Sequence, residues 1–341
     1  MLKIQVNLRM NRVFILSTIV LFLLAGTLKA KEEVIRFEFE HQSMGTLFRI
    51  VCYSEDKRLA SRASQEAFER IDQLNLIMSD YLPDSELNIL CRQSGSGEAI
   101  PVSKDLFNII SESLKWSEIS AGTFDITVGA YSKLWRRAGR TEEFPGEERI
   151  TTASEKVGSD LIVLDSVHQT VLLSVKGMHL DLGGIAKGFA VDEAYKIFMK
   201  YKITRVLVDG GGDIRAGESP TGKDGWKIVI ESKEDGPKYI MVANQSVATS
   251  GDLYRFVEID GQRYSHIIDP FTGYGVKIPR VVTTISDNCT KADVLASILS
   301  IMGPVKGFEF LTNLQGVNSI IVQNEEGIQK NYVFGNIDIR E

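Results

Sequence analysis

Apolar residues recur every three or four positions from Arg58 to Met78, at Leu59, Ala63, Ala67, Ile71, Leu74 and Met78. That spacing places them on one face of an amphipathic helix. The chain then enters the turn-rich stretch DYLPDSEL. The same period predicts a helix over 104–119, with Leu106, Ile110 and Leu114 on one face and a break at Gly122. A further helix follows LDLGG, with Ile185, Phe189, Ala190, Ala194, Phe198 and Met199 as its buried face. KADVLASILSIMG starts another after Thr290, which Gly303-Pro304 stops, and a short helix is expected over 308–314.

Elsewhere the period is two. In TVLLSV, Val171, Leu173 and Val175 alternate, and a turn at Lys176-Gly177 makes MHLDL the expected hairpin partner. RVLVDGGGDIRAGE reads as a strand running into a glycine-rich turn, and WKIVIE and YIMVANQSVATS as further strands. RFVEIDGQRYSHIID predicts a hairpin, because Asp260-Gly261 suits a tight turn with positive φ between two alternating runs. A last hairpin turns near Glu325 to Gly327. Residues 142–158 are charged and contain Pro145 and Gly146, so they read as a surface loop. Helices mixed with mostly antiparallel strands imply an α+β fold, largely antiparallel sheets with packed helices, in one catalytic domain over 31–341.

The first thirty residues stand apart. Lys3, Arg9 and Arg12 precede an apolar run from Val13 to Leu24, then the small residues Ala25, Gly26 and Ala30, which is the layout of a secretory signal peptide cleaved near Ala30. An uncleaved membrane anchor is the alternative. Thr27 stands where a lipoprotein would need its lipid-accepting cysteine, so no lipid anchor is expected. The expected location is exported: periplasmic, or on the outer face of the inner membrane. Loss of this segment removes four basic residues and no acid, taking the formal charge from −6 to −10. Such an acidic chain is a poor nucleic-acid binder, since phosphates are met with basic surface. Cys52, Cys91 and Cys289 are odd in number and isolated, and no metal spacing emerges; one disulfide pair is possible in an oxidising compartment, but small core residues is the simpler reading.

LDLGGIAKGFAVDEA concentrates chemistry at a helix mouth. Gly183 and Gly184 allow close approach to the backbone, the N–H groups of a helix start attract anions, and Lys187 adds a mobile positive charge, a combination suited to pyrophosphate. Asp181 is placed to accept hydrogen bonds from a ligand ring or ribose, or simply to cap the helix. VDGGGDIRAG fails the dinucleotide pattern G-x-G-x-x-G, because Arg215 falls where the third glycine belongs. Asp293 and Ser297 share a helix face at i, i+4 and offer oxygen ligands to a hard cation such as Mg²⁺, although Thr290 and Asp293 also fit a capping box. In SHIIDP, His266 and Asp269 make a candidate general base beside a carboxylate, with a structural strand histidine as the alternative.

The motifs SMGTLF, MSDYLPDSELNIL, GTFDITVGAYSKLW, LDLGGIAKGFAVD, VDGGGDIRAG, VATSGD, YSHIIDPFTG and KADVLASILSIMG occur in this order between Ser43 and Met302. Together they closely resemble the ApbE family of FAD:protein FMN transferases. The resemblance implies a single ApbE-like, T-fold-like domain. It also implies a transferase that binds FAD, uses Mg²⁺, and moves FMN to a threonine or serine hydroxyl of a target protein, releasing AMP. By motif position, Met44, Tyr81, Thr123, Phe124, Asp125, Asp181, Lys187 and Ile268 would line the flavin-nucleotide site. A metal would lie near main-chain oxygens of Gly184 and Ala296, with Asp293 and Ser297 as side-chain ligands. His266 would activate the acceptor hydroxyl. The expected partners are exported or membrane-bound redox proteins carrying an acceptor Thr or Ser. Ser297 replaces the family's usual threonine, and Asp209 stands where asparagine is common before the glycine turn. Rival readings are an FAD pyrophosphatase, which passes FMN to water, and a flavin-binding protein without turnover.

Overall fold

In the computed structural model, residues 34–233, 236–251, 256–325 and 328–341 are described. The signal segment and residues Glu326 and Gly327 of the last turn lie outside them. Strands β1 (Ile35–Ser43) and β2 (Thr46–Ser54) pair antiparallel about Met44-Gly45, whose φ values of 49° and 73° suit a two-residue turn. Helices α1 (Lys57–Met78) and α2 (Glu86–Arg92), strand β3 (Ile100–Pro101) and helix α3 (Lys104–Ile119) follow. A 3-10 turn leads into α4 (Gly129–Thr141) and α5 (Glu147–Ser154), then β4 (Ile162–Asp165), β5 (Thr170–Leu173) and α6 (Ala186–Lys200). Strands β6 (Val206–Gly210), β7 (Asp213–Ala216), β8 (Trp226–Lys233), β9 (Gly236–Val242) and β10 (Gln245–Gly251) come next. The chain ends with β11 (Phe256–Ile259), β12 (Gln262–Ser265), β13 (Arg280–Ser286), α7 (Cys289–Leu311), β14 (Asn318–Glu325) and β15 (Ile328–Phe334).

One eight-stranded antiparallel sheet, in the order β1-β2-β6-β7-β10-β13-β14-β15, organises the molecule. Strand alternation gives it two apolar faces. Phe48, Ile50, Cys52, Val206 and Val208 join a core with α1, α6 and α7, whereas Val51 and Leu207 meet Trp226, Ile228, Ile240 and Val242 of the β8–β9 hairpin. Each fully buried aliphatic side chain contributes roughly 1.5–3 kcal/mol. A third cluster joins Tyr131 and Trp135 of α4 to Ile150 of α5, Tyr264 of β12 and Ile268. The α7 helix is apolar on all sides because it packs against α6, β10 and β13. Its helical backbone breaks at Gly303 (φ 74°, ψ −179°) before Pro304, the expected stop, and a separate short helical run continues to Leu311, overlapping the start of the helix expected over 308–314.

Three expectations change. MHLDL does not pair with β5; β5 lies between β3 and β4, and the hairpin is formed by β4 and β5. Met178, Leu180 and Leu182 are buried as expected of a strand, but their segment bonds to the 3-10 turn and to α2 instead: Asp181 N–H to the Ile126 carbonyl at 2.7 Å and Leu180 N–H to Cys91 Sγ at 3.3 Å. Residues 142–158 contain α5, held because Ile150 and Ala153 fall three apart on one buried face. DYLPDSEL gives way to α2 at Glu86, where Ser85 Oγ accepts the Asn88 N–H. The three cysteines are unbridged and buried, with burial pushing the Cys52 thiol up to about 12.

Candidate active site

Two helices brace each other at the core of the site. Asp192 of α6 accepts the N–H groups of Cys289 (3.0 Å) and Thr290 (2.8 Å), and Asn288 accepts that of Lys291, which together satisfy the start of α7. In return, Asp293 Oδ2 of α7 accepts the Gly188 N–H in the first turn of α6 at 3.0 Å. Asp293 is therefore not the partner of a capping box with Thr290; it faces the other helix. Gly188 permits the approach, since a Cβ there would stand 2.5 Å from the Cys289 carbonyl oxygen.

Around that crossing lie the groups read from the helix mouth. Lys187 is not the mobile charge expected at the helix mouth: its Nζ pairs with Asp213 of β7, whose carboxylate is almost fully buried. Burial alone would lower the Lys187 pKa, but the Asp213 and Asp293 charges hold it above its ordinary value. Burial, then the Asp213 charge, pushes Asp293 up to about 7 against the pull of Lys187. Ser297 stands one turn beyond Asp293, beside Gly184, where an added Cβ would sit 2.9 Å from Ser297 Oγ and 3.3 Å from the Phe124 ring. The Ala296 carbonyl accepts Ser300 Oγ at 2.8 Å. Among the described residues no three His, Cys, Asp or Glu side chains converge to hold a metal. What stands together is the buried Asp293 carboxylate and, one turn on, the Ser297 hydroxyl beside Gly184, oxygen donors of the kind that fit a hard divalent cation sharing its remaining positions with phosphate.

Asp181 lies at the rim. Its Oδ1 accepts the Gly183 N–H at 2.9 Å, which shapes the glycine turn rather than capping α6; the capping position is Ile185, with no side-chain bond. Its Oδ2 meets Arg136 of α4 at 3.2 Å. Arg136 also reaches Asp80 at 2.5 Å and lies 4.1 Å over the Tyr81 ring, which is largely exposed. Burial first, and the Asp181 charge second, push Asp80 up to about 6 despite Arg136. Thr123 and Phe124 are buried just ahead of Asp125, whose Oδ1 accepts both the N–H and the hydroxyl of Thr127. Burial raises the Asp125 pKa. Met44 sits at the β1–β2 turn, packed against the main core.

The segment after β12 packs against α4 and the turn at Gly122. His266 is exposed in the bend that follows Ser265, and Ile268 is buried in the cluster with Tyr131 and Trp135. Asp269 Oδ1 accepts the Phe271 N–H at 2.9 Å, so that oxygen closes a turn. The segment is pinned by Trp135 Nε1 donating to the Gly273 carbonyl at 2.7 Å, and by the Phe271 ring lying 3.5 Å from where a Cβ on Gly122 would stand. It thus rests on the GTFD turn and on α4.

The sequence profile of the ApbE family matches residues 44–321. The chain belongs to the ApbE family. It is 30% identical over 320 residues to an FAD:protein FMN transferase of Vibrio cholerae, covering 91% of this chain and 93% of that protein. It is 31% identical over 300 residues to an FAD:protein FMN transferase of Treponema pallidum, covering 82% of each. Its structure resembles that of the flavin transferase ApbE from Vibrio cholerae, with a TM-score of 0.79 and 26% identity, over 88% of this chain and 97% of that one. The ApbE protein of Thermotoga maritima gives 0.78 at 28% identity, over 87% and 97%.

Against this ApbE fold, sequence reasoning missed Arg136, Asp80 and Asp213. Asp213 was visible as the only acid within the glycine turn's exit, GGDIR, but its role depends on β7 lying beside α6. Asp209, whose charge had no assigned role, offers Oδ1 to the Gly212 N–H at 2.8 Å and closes the glycine turn.

Proposed function

We propose that this chain is an FAD:protein FMN transferase that uses Mg²⁺, with FAD as donor and a protein Thr or Ser hydroxyl as acceptor. One observation supports it above the others: the first turn of α6, Asp293 and Ser297 of α7, and Lys187 with Asp213 meet at a single point beside a glycine backbone. Binding of a flavin nucleotide alone would not need a buried carboxylate and hydroxyl gathered there.

The acceptor oxygen forms a bond to the FMN phosphorus, the pyrophosphate P–O bond breaks, and AMP leaves with the bridging oxygen. A cation held by Asp293, Ser297 and nearby main-chain oxygen would supply charge neutralisation for that pyrophosphate. Lys187, oriented by Asp213, presents positive charge to the phosphates as negative charge shifts toward AMP. Gly183 and Gly184 keep side chains out of the phosphates' path. His266, exposed on its bend, takes the acceptor's proton, since a neutral hydroxyl is a weak nucleophile. Tyr81, Asp181, Thr123, Phe124, Asp125, Met44 and Ile268 form the walls that hold the donor's rings and ribose.

The N-terminal basic and apolar segment supports export, so the acceptors we propose are exported or membrane-bound redox proteins on the periplasmic side. The test is AMP production from FAD with Mg²⁺, measured with and without a periplasmic extract. Transferase activity predicts AMP release that rises with the extract and matches flavin fixed to protein. AMP formed equally without acceptor would make the chain a pyrophosphatase, and no AMP under either condition would refute the proposal.

A further inference from the structure

Arg136 is the cation that the established motifs leave out. It is one of three arginines on α4, with Arg137 and Arg140, but those two are exposed and Arg136 is turned inward. Its guanidinium is held at three points: Asp80 Oδ2 at 2.5 Å, Asp181 Oδ2 at 3.2 Å, and the Tyr81 ring at 4.1 Å from the ring centre. The two carboxylates come from separate parts of the chain, the loop after α1 and the loop before α6. Without the arginine they would face each other as uncompensated like charges.

We infer that Arg136 is a positioning residue for FAD: it fixes the Asp181 carboxylate and backs one face of Tyr81, so that only the opposite face is offered to a planar ring of the donor. This rests on the function proposed above. The reasoning is geometric. A ring cannot insert between Arg136 and Tyr81 without breaking a guanidinium that two carboxylates anchor, and charge-assisted bonds of this kind are the stronger class. The far face of Tyr81 is open, the residue being 73% exposed. Arg136 holds Tyr81 on one side and Asp181 Oδ2 on the other, and Asp181 Oδ1 is committed to the Gly183 N–H, so the stacking ring, Asp181 and the glycine turn are tied into one unit through Arg136. Arg136 thereby links ring recognition to the phosphate end of the site without touching either phosphate. A lysine cannot replace it, because a compact ammonium cannot bridge two carboxylates and stack on a ring at once.

The test is a set of FAD-binding and turnover measurements on the full-length enzyme and the variants Arg136→Ala, Arg136→Lys, Tyr81→Ala and the double Tyr81→Ala/Arg136→Ala. The expected result is a rise of about tenfold in the FAD concentration for half-saturation with Arg136→Ala, exceeding any fall in turnover at saturation. Arg136→Lys recovers thermal stability but only part of the FAD affinity. In the double variant the two losses are not additive, because both remove the same stacked unit. Tyr81 is exposed, so Tyr81→Ala folds even if Arg136→Ala does not. In that case Arg136→Lys against Tyr81→Ala carries the comparison, and Lys binding FAD like wild type overturns the inference. Unchanged FAD affinity in Arg136→Ala, additive losses, or a loss confined to turnover would each overturn it. A wild-type enzyme that neither binds FAD nor releases AMP refutes the function itself, and is distinguished from these outcomes by the wild-type control.

Discussion

Lys187 of α6 and Asp213 of β7 form an ion pair at the point where the two elements meet, with the Asp213 side chain only 2% exposed. Removing Lys187 alone leaves Asp213 and Asp293 as neighbouring buried carboxylates. Lys187→Met is expected to cost about 3–5 kcal/mol in denaturant unfolding, and Lys187→Met/Asp213→Asn to recover most of it. Both variants lose FAD turnover, since the phosphates lose their cation. Equal destabilisation in the single and double variants would mean that the pair carries no coupling.

Asp293→Asn keeps the Gly188 contact's shape but removes the charge. The expected outcome is a rise of at least about tenfold in the Mg²⁺ concentration needed for half-maximal AMP release. An unchanged Mg²⁺ titration contradicts the assignment of Asp293 as ligand.

His266→Asn is expected to lower FMN transfer about 10²- to 10⁴-fold while FAD affinity stays within a few-fold. Parallel loss of binding and transfer would remove His266 from the role of base.

Asp80 gives a pH signature. Its folded pKa, about 6, lies above the unfolded value, so between about pH 4 and 6 the folded state binds more protons and this group's contribution to stability declines as pH rises. His179, which burial, Lys133 and Lys156 lower to about 4, acts in the opposite sense over much of the same range. The comparison must therefore be variant against wild type. Asp80→Asn, relieved of the buried charge facing Asp181 while Lys133 and Arg136 remain, should gain about 1–3 kcal/mol relative to wild type between pH 4.5 and pH 7. A difference that does not vary with pH would show that Asp80 has an ordinary pKa.

Gly188→Ala tests the brace between α6 and α7. Its Cβ would meet Cys289 backbone at 2.5 Å, whereas at Gly139 the nearest neighbour is a Val257 methyl at 3.1 Å. Gly188→Ala should lose roughly 2–3 kcal/mol or more in unfolding, and Gly139→Ala much less. Equal effects would mean that the helices can part without cost.

Much of this was legible from pattern. The helices over 58–78 and 104–119 follow from a single apolar face, and the Asp260-Gly261 hairpin from turn chemistry, with φ of 52° and 70° in the structure. Motif order located Asp181, Lys187, Asp293 and His266. What the sequence hides is pairing over distance. MHLDL alternates like a strand, but the edge it would pair with is already taken by β4 and β3. Thr290-x-x-Asp293 has capping-box spacing, yet Asp293 is drawn to Gly188, more than a hundred residues away. Arg136 cannot be told from Arg137 or Arg140 until α4 is docked and one of the three faces Asp80 and Asp181.

The most direct measurement of the central claim is mass spectrometry, with in-gel flavin fluorescence after denaturation, of a periplasmic extract incubated with the enzyme, FAD and Mg²⁺. The account predicts a fluorescent band other than the enzyme, carrying FMN in phosphoester linkage on a threonine or serine, and its loss when His266→Asn replaces the wild type. Steady AMP release with no protein-bound flavin, from an extract whose acceptor a known family transferase does label, would contradict it.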